Sequence, residues 1–326
     1  MNILILGAGG LGCELLKNVS MMVIRQEIQV NKITIIDMDT IELTNLNRQF
    51  MFTDEDIGLN KSEVAAKYIS NKFKKMVNVV PIVQDLTLLN KEFYQDFQLI
   101  LSGLDSVEAR RYVNQICVQI AYESQFNSII PLIDGGLESL KGHVKLIIPG
   151  VTACWECSIS TLPTQGTTEN STGPKIGNVP LCTIATNPRS IEHVIEHVYI
   201  KALENSDKDK DKQNFYLHEN WDQDDNVIKR LFRECEERAI RYNIPRDQLT
   251  IHHMLGIMKR IIPNVCTTNA MIAAECCMEL YKIYNDLIDF EGEPKNFLMM
   301  NGNRGQFYYK FTYQRDPRCP VCNIIP

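Results

Sequence analysis

The chain has 326 residues, 44% hydrophobic and 23% charged, which is the composition of a soluble globular protein long enough for one large domain or two ordinary ones. Its 34 basic against 40 acidic residues leave a net charge of −6, which argues against nucleic acid or an anionic membrane as the main partner, since both demand a basic face. No stretch approaches the roughly 18 apolar residues of a membrane span, and the apolar start MNILILGAGG carries no basic leader. Eleven cysteines in so long a chain without such a leader do not suggest a disulfide framework; a reducing compartment, cytoplasm or nucleus, is expected.

In chain order, ILILG (3–7) predicts a strand and residues 13–23 a helix, followed by a strand at KITIID (32–37). A second helix, KSEVAAKYISNKF (61–73), precedes VNVVPIV (77–83), and LILSGLD (99–105) leads into the helix EARRYVNQICVQIAYES (108–124). PLIDGG (131–136) and HVKLIIPG (143–150) follow as strands. Strands separated by helices imply an α/β, Rossmann-like domain with a mostly parallel central sheet. The pattern then breaks. TQGTTENSTGPKIGN (164–178) reads as a mobile loop and SDKDKDK (206–212) as a solvated charge run. VIKRLFRECEERAIRYNI (227–244) and TTNAMIAAECCMELYKIYND (267–286) are predicted helices, and FLMMNG with FYYKFTYQ returns to strands. The expected domains are 1–163, a helical insertion at 164–260, and 261–326, which completes the first domain.

GAGGLG (7–12) places Gly7, Gly9 and Gly12 between a strand and a helix. This is the G-x-G-x-x-G fingerprint, in which bare backbone approaches a phosphate at the helix N-terminus. Asp37 ends the next strand, where a carboxylate binds ribose hydroxyls. The fingerprint alone does not decide between NAD and ATP. The segment DMDTIELTNLNRQF (37–50) crowds Asp37, Asp39, Asn45, Asn47, Arg48 and Gln49 together, and an arginine with amides beside a phosphate loop suits triphosphate chemistry. Lys61 opens the next helix, with Asn60 as N-cap and Glu63 in capping-box position. A lysine there opposes the helix dipole unless an anion sits beside it; a solvated lysine is the alternative, and a phosphate contact accounts for the placement better. Asp105 follows the strand LILSG; its spacing leaves open a helix cap and Mg²⁺ coordination alike.

Cys154–Cys157 (CWEC) and Cys319–Cys322 (CPVC) together offer four thiolates for one tetrahedral zinc, with redox activity as the rival reading. Cys13, Cys117, Cys235, Cys266, Cys276 and Cys277 lie on helical patterns and are expected in the core. Cys182, in PLCTIATNPRSIEHV, follows Pro180 and precedes the helix IEHVIEHVYIKAL by a few residues. Its position alone fits either a buried thiol or a nucleophile.

These motifs together resemble the activating enzymes for ubiquitin-like proteins and their bacterial sulfur-carrier relatives. GAGGLGCELLKN, the DMDTIELTNLNRQF segment, DIGLNKSEVAA (56–66) and SGLDSVEARR match the family's adenylation motifs, and PLIDGG, PGVTACWEC, PLCTIA and CPVC extend the match over nearly the whole chain. LNRQFMF, LIDGGLESLKGHVKLIIPG and CTIATNPRSIEHVIE point to the branch that serves Rub/Nedd-type modifiers. The resemblance implies Mg·ATP-dependent adenylation of a modifier's C-terminal glycine, then thioester formation and transfer to a conjugating enzyme's cysteine. It implies that the glycine loop and Asp37 hold the nucleotide, Arg48 and Lys61 neutralise phosphates, Asp105 binds Mg²⁺, and Cys154, Cys157, Cys319 and Cys322 hold structural zinc. Cys182 matches the thioester-forming nucleophile, within a segment expected to be mobile, and Lys145 falls where the modifier's tail approaches. A catalytically silent regulatory subunit is the expected heterodimer partner.

Two departures stand out. The family's eukaryotic catalytic subunits often continue past the second CxxC into a ubiquitin-fold domain, whereas four residues follow Cys322, so recruitment of the conjugating enzyme is expected on another surface. The chain also starts directly on its first strand, without the helix that usually precedes it. Three rivals remain. A nicotinamide-dependent oxidoreductase needs only the glycine fingerprint and not Arg48, Lys61 and Asp105 together. A non-enzymatic scaffold has no use for Cys182, and a sulfur-carrier activator has none for so long an insertion around a cysteine.

Overall fold

The run NILIL forms β1 (Asn2–Leu6), in which Ile3, Leu4, Ile5 and Leu6 are all fully buried. An unbroken apolar strand is what a parallel sheet covered on both faces requires. In this computed structural model, which describes residues 1–161, 188–206, 226–247, 249–258, 265–289, 292 and 294–323, β1 pairs in parallel with β2 (Lys32–Ile36) on one side and β4 (Leu99–Ser102) on the other. β3 (Val79–Ile82) adds in parallel beyond β2, and β5 (Leu132–Glu138) beyond β4. β6 (Lys141–Ile147), β7 (Phe297–Asn301) and β8 (Phe307–Phe311) continue the sheet antiparallel, giving the order β3-β2-β1-β4-β5-β6-β7-β8. The chain leaves β1 in one direction for β2 and β3 and returns on its other side for β4. That reversal opens a crevice at the carboxyl ends of β1 and β4, where such sheets bind ligands.

Helix α1 (Gly10–Ile24) starts three residues before the predicted boundary, because the glycine loop itself turns into the first helical turn. α2 (Lys61–Lys72), the single-turn α3 (Lys91–Tyr94) and α4 (Val107–Glu123) follow, and α3 is not legible in the sequence as a separate element. α4 buries Val113, Ile116, Cys117, Ile120 and Ala121, the three-and-four spacing of an amphipathic helix.

The chain divides into two units, residues 1–161 with 263–326, and residues 162–262. Within the first, α8 (Cys266–Tyr284) packs on α1, β5 and β6 through Ile272, Ala273, Cys276 and Leu280. The second contains α5 (Ile191–Ser206), α6 (Asn226–Arg241) and α7 (Ile251–Met258). They share a core of Val194, Ile195, Val198, Ile228, Leu231, Cys235, Ala239, Met254 and Met258. On α6 the buried positions recur at intervals of three and four, so its periodicity matches its packing. The loop 164–178, Cys182 and the charged residues 207–212 lie outside the described residues. No described helix is long and apolar enough to cross a membrane.

One cysteine departs from expectation: Cys266 is exposed, since it opens α8 rather than lying within it. Cys13, Cys117, Cys235, Cys276 and Cys277 are buried as their helical spacing predicts. Burial raises the thiol pKa of all five, with Cys117, Cys235 and Cys277 pushed up to about 12, so none of them forms a thiolate readily at neutral pH.

Candidate active site

The crevice begins at the glycine loop. Gly7 has φ +89°, a left-handed conformation that favours glycine, and its amide donates to Ile36 O at 2.8 Å. A Cβ on Gly12 would lie 1.9 Å from Gly7 O, so only glycine lets the helix rise this close to the loop. At Gly9 a Cβ would meet nothing nearer than Gln49 Nε2 at 4.0 Å, so packing does not account for that glycine. No side chain caps the N-terminus of α1, whose first amides are therefore donors available to an anion.

Asp37, just past β2, binds the loop directly. Its Oδ2 accepts from the Ala8 amide at 2.6 Å and its Oδ1 from the Asp39 amide at 2.8 Å, and each oxygen keeps a further acceptor position. Burial raises the Asp37 pKa, and the hydrogen bonds from Ala8 and Asp39 together with the Lys61 charge oppose that rise. Lys61 is buried at the start of α2, where its Nζ lies 2.8 Å from Asp39 Oδ2 and its amide donates to Asp39 O. The anion beside this lysine is thus a carboxylate of the chain itself. Asn60 is the N-cap residue, yet its side chain donates to Glu63 Oε2 at 2.9 Å and caps no backbone amide.

The segment after Asp39 folds back toward the loop. Asn45 is spent on the local turn, where its Oδ1 accepts from the Glu42 amide at 3.0 Å. Arg48 Nη1 donates to Thr44 O at 2.8 Å and Asn47 Oδ1 at 3.0 Å, while its buried Nε has no hydrogen-bond partner. Partial burial lowers the Arg48 pKa, against the opposing Glu42 charge. Gln49, 3% exposed, leaves its Oε1 without a partner beside Gly9. An uncapped helix end, a glycine that packing does not require and orphaned polar atoms fit a nucleotide phosphate chain.

Asp105 lies beyond β4 and is exposed. It does not cap α4: Ser106 does, its Oγ accepting from the Ala109 amide at 3.2 Å. Gly103, two residues earlier, donates to Leu6 O and places its carbonyl oxygen 3.0 Å from where a Gly7 Cβ would be. The loop carrying Asp105 therefore adjoins the glycine loop.

A second centre is the cysteine cluster. The sulfurs of Cys154, Cys157, Cys319 and Cys322 all lie within 4.8 Å of one another, and all four residues are buried. Three of the separations are 3.4, 3.6 and 3.9 Å. A tetrahedron with metal–sulfur bonds of about 2.3 Å has edges of about 3.8 Å, so the donor set fits Zn²⁺. Arg315 ties the C-terminal pair to the turn after β6, donating to Gly150 O at 3.0 Å and Cys322 O at 2.9 Å. Lys145 is 5% exposed, with Nζ 2.7 Å from Ser158 Oγ and stacked over Trp155 and Phe297. Burial lowers its pKa to about 8.

Sequence reasoning missed a third group. Asp134 on β5, 1% exposed, accepts from Ser102 Oγ at 2.8 Å, Arg110 Nη1 at 2.7 Å and Trp155 Nε1 at 3.1 Å. The available signal was an acid in the otherwise apolar strand PLIDGG, because a buried carboxylate must find donors.

Comparison with known proteins identifies the family and the fold. A model of the ThiF family matches residues 1–321. The NEDD8-activating enzyme E1 catalytic subunit of Saccharomyces cerevisiae is 49% identical over 98% of this chain and 97% of its own length. The protein of the same name from Schizosaccharomyces pombe is 40% identical over 99% of this chain and 70% of its own. The crystal structure of E. coli MccB with ATP shares the fold, with TM-score 0.55 and 17% identity, covering 98% of this chain and 65% of that one. A glycine loop, an acid after β2 and a cluster of four cysteines, set in a sequence this close to the yeast subunits, place the chain in the ThiF family alongside NEDD8-activating enzyme catalytic subunits.

Proposed function

We propose that this chain is the catalytic subunit of an ATP-dependent ligase that activates a Rub/Nedd-type ubiquitin-like modifier. The observation that carries the reading is the delivery of the glycine loop, Asp37 and the Asp105 loop to one crevice, in a chain that matches its family from residue 1 to 321. The amides of α1 and the Lys61 ammonium hold the phosphates, with Arg48 beside them, and Asp37 holds the ribose. Asp105 coordinates Mg²⁺. Lys61 exchanges Asp39 for phosphate when nucleotide arrives, so the Asp39–Lys61 pair holds the lysine in place beforehand.

The modifier's C-terminal carboxylate attacks the α-phosphorus of ATP. The bond from that phosphorus to the bridging oxygen breaks, and pyrophosphate leaves. The Cys182 thiolate then attacks the acyl carbon, the bond to the AMP oxygen breaks, and a thioester remains. An acyl-adenylate is already activated, so a modest nucleophile suffices. Among the described cysteines, nine are buried and Cys266 alone is exposed, which makes Cys266 the rival to exclude. The thioester passes to a conjugating enzyme, and a regulatory subunit completes the enzyme.

The modifier's folded body docks on the outer face of β7 and β8. Phe297 pairs with Phe311, Met299 with Tyr309 and Asn301 with Phe307, so these residues share one face. Met299 is 49%, Phe307 48% and Tyr309 57% exposed. An edge strand normally carries charge there, and an apolar row on it marks an interaction surface. The assembly works in the cytoplasm or nucleus.

The test is ATP–pyrophosphate exchange with the modifier present. Exchange that requires the modifier and is lost in Lys61→Ala supports the reading; exchange without modifier, or none at all with the regulatory subunit added, overturns it.

A further inference from the structure

The Asp134 group has no part in the chemistry above, yet it touches β4 and α4, the two elements that flank Asp105 in the chain. Asp134 pairs across the sheet with Ser102, the last residue of β4. Arg110, on the first turn of α4, gives Asp134 one nitrogen and uses the other for two backbone carbonyls, Leu104 O and Gly135 O, the latter at 3.0 Å. Leu104 is the residue immediately before Asp105. The arginine side chain is 11% exposed and the aspartate 1%, so this is a buried fork and not a surface contact. Room for it depends on Gly136, where a Cβ would lie 3.1 Å from Arg110 Nη1 and 2.4 Å from His143 Cε1.

The third donor to Asp134 is Trp155, the residue after the first cluster cysteine, Cys154. The same CWEC turn grips α4 twice more. The Trp155 amide donates to Asn114 Oδ1 at 2.8 Å, and Glu156 accepts from Arg111 Nε at 2.9 Å and Nη2 at 2.7 Å. The turn that carries the cysteine cluster therefore holds the aspartate, the aspartate holds the arginine, and the arginine holds the carbonyl beside Asp105.

We propose that Arg110 is a positioning residue for metal binding at Asp105, acting through its fork between Asp134 and Leu104 O. The proposal rests on the reading of Asp105 as the Mg²⁺ ligand. A planar guanidinium can serve a carboxylate and two carbonyls at once, whereas an ammonium of the same charge cannot reproduce that geometry. Groups behind a metal ligand typically set its affinity without touching the ion.

The experiment is calorimetry of a non-hydrolysable ATP analogue on the full chain with its regulatory subunit, with Mg²⁺ and with EDTA, for wild type, Asp105→Asn, Arg110→Lys and the double variant. Arg110→Lys is expected to weaken binding about 10-fold in Mg²⁺ and by less than about 2-fold in EDTA. Asp105→Asn is expected to do the same, and the double variant to lose no more than either single variant. If Asp105→Asn loses the Mg²⁺-dependent affinity and Arg110→Lys keeps it, the positioning role is overturned while the Asp105 reading stands. Equal losses in Mg²⁺ and EDTA for Arg110→Lys mean a general structural lesion and also overturn the proposal. If Asp105→Asn keeps the Mg²⁺-dependent affinity, the Asp105 reading fails and the proposal falls with it. Should Arg110→Lys melt too early to measure, Trp155→Phe removes one donor to Asp134 and leaves a smaller aromatic ring in its place. A loss confined to Mg²⁺ is expected there too, and its absence overturns the proposal.

Discussion

His143 shows how closely the area behind the crevice is packed. Its ring stacks on Phe297 at 6.0 Å and its Nε2 is buried without a partner, and burial lowers its pKa to about 4. The unfolded chain therefore takes up a proton at this histidine near its ordinary value of 6.5, while the native chain does not until about pH 4. Stability is expected to fall as pH drops from about 6.5 to 4, by up to about 3 kcal/mol from this one group, and to level off below that. Urea unfolding of wild type and His143→Phe across that range checks this; equal slopes for the two would contradict it. Single residues are the least legible scale in the sequence. Gly7, Gly12 and Asp37 are readable because a strand–turn–helix motif fixes their roles locally. Asp134, Arg110 and Trp155 are not, because 24 and 21 residues of chain separate Asp134 from its two partners and no fixed spacing links them. Asp105 is ambiguous for a different reason: its spacing allows a helix cap and Mg²⁺ coordination alike, and the structure gives the cap to Ser106 instead.

The elements are mostly legible, since apolar runs and three-and-four periodicity are local properties. What periodicity does not supply is where the C-terminal strands join, because β7 reaches β6 only through pairing across more than 150 residues, as between Lys145 and Phe297. The cysteine cluster spans a comparable distance, with 165 residues between Cys154 and Cys319. A metal closing so long a loop contributes folding free energy that its removal withdraws. We expect about one zinc per chain by elemental analysis, and loss of that zinc with a lower melting temperature in Cys319→Ser. An unchanged melting temperature in the zinc-free variant would show that the clip is dispensable. The outer face of β8 has a separate expectation. Tyr309→Ser should raise the KM for modifier about 10-fold, as loss of an interfacial aromatic commonly does, and leave the KM for ATP unchanged. A matching rise in both would place the strand elsewhere in the mechanism.

As a whole, the chain joins an adenylating sheet, completed by its own C-terminus, to a second unit of helices inserted between β6 and α8. Long ordered motifs make the family readable, because a glycine fingerprint, an acid after the second strand and two CxxC pairs rarely coincide by chance. Burial separates the described thiols: five sit in helical cores with raised pKa values, four form the cluster, and Cys266 is exposed. We propose that activation ends as a thioester on Cys182. The direct measurement incubates the full chain with its regulatory subunit, Mg²⁺, ATP and the modifier, then resolves the products on non-reducing gels. We expect an ATP-dependent, thiol-sensitive adduct in wild type and Cys266→Ala and none in Cys182→Ala, which should still catalyse pyrophosphate exchange. An adduct that persists in Cys182→Ala would contradict it.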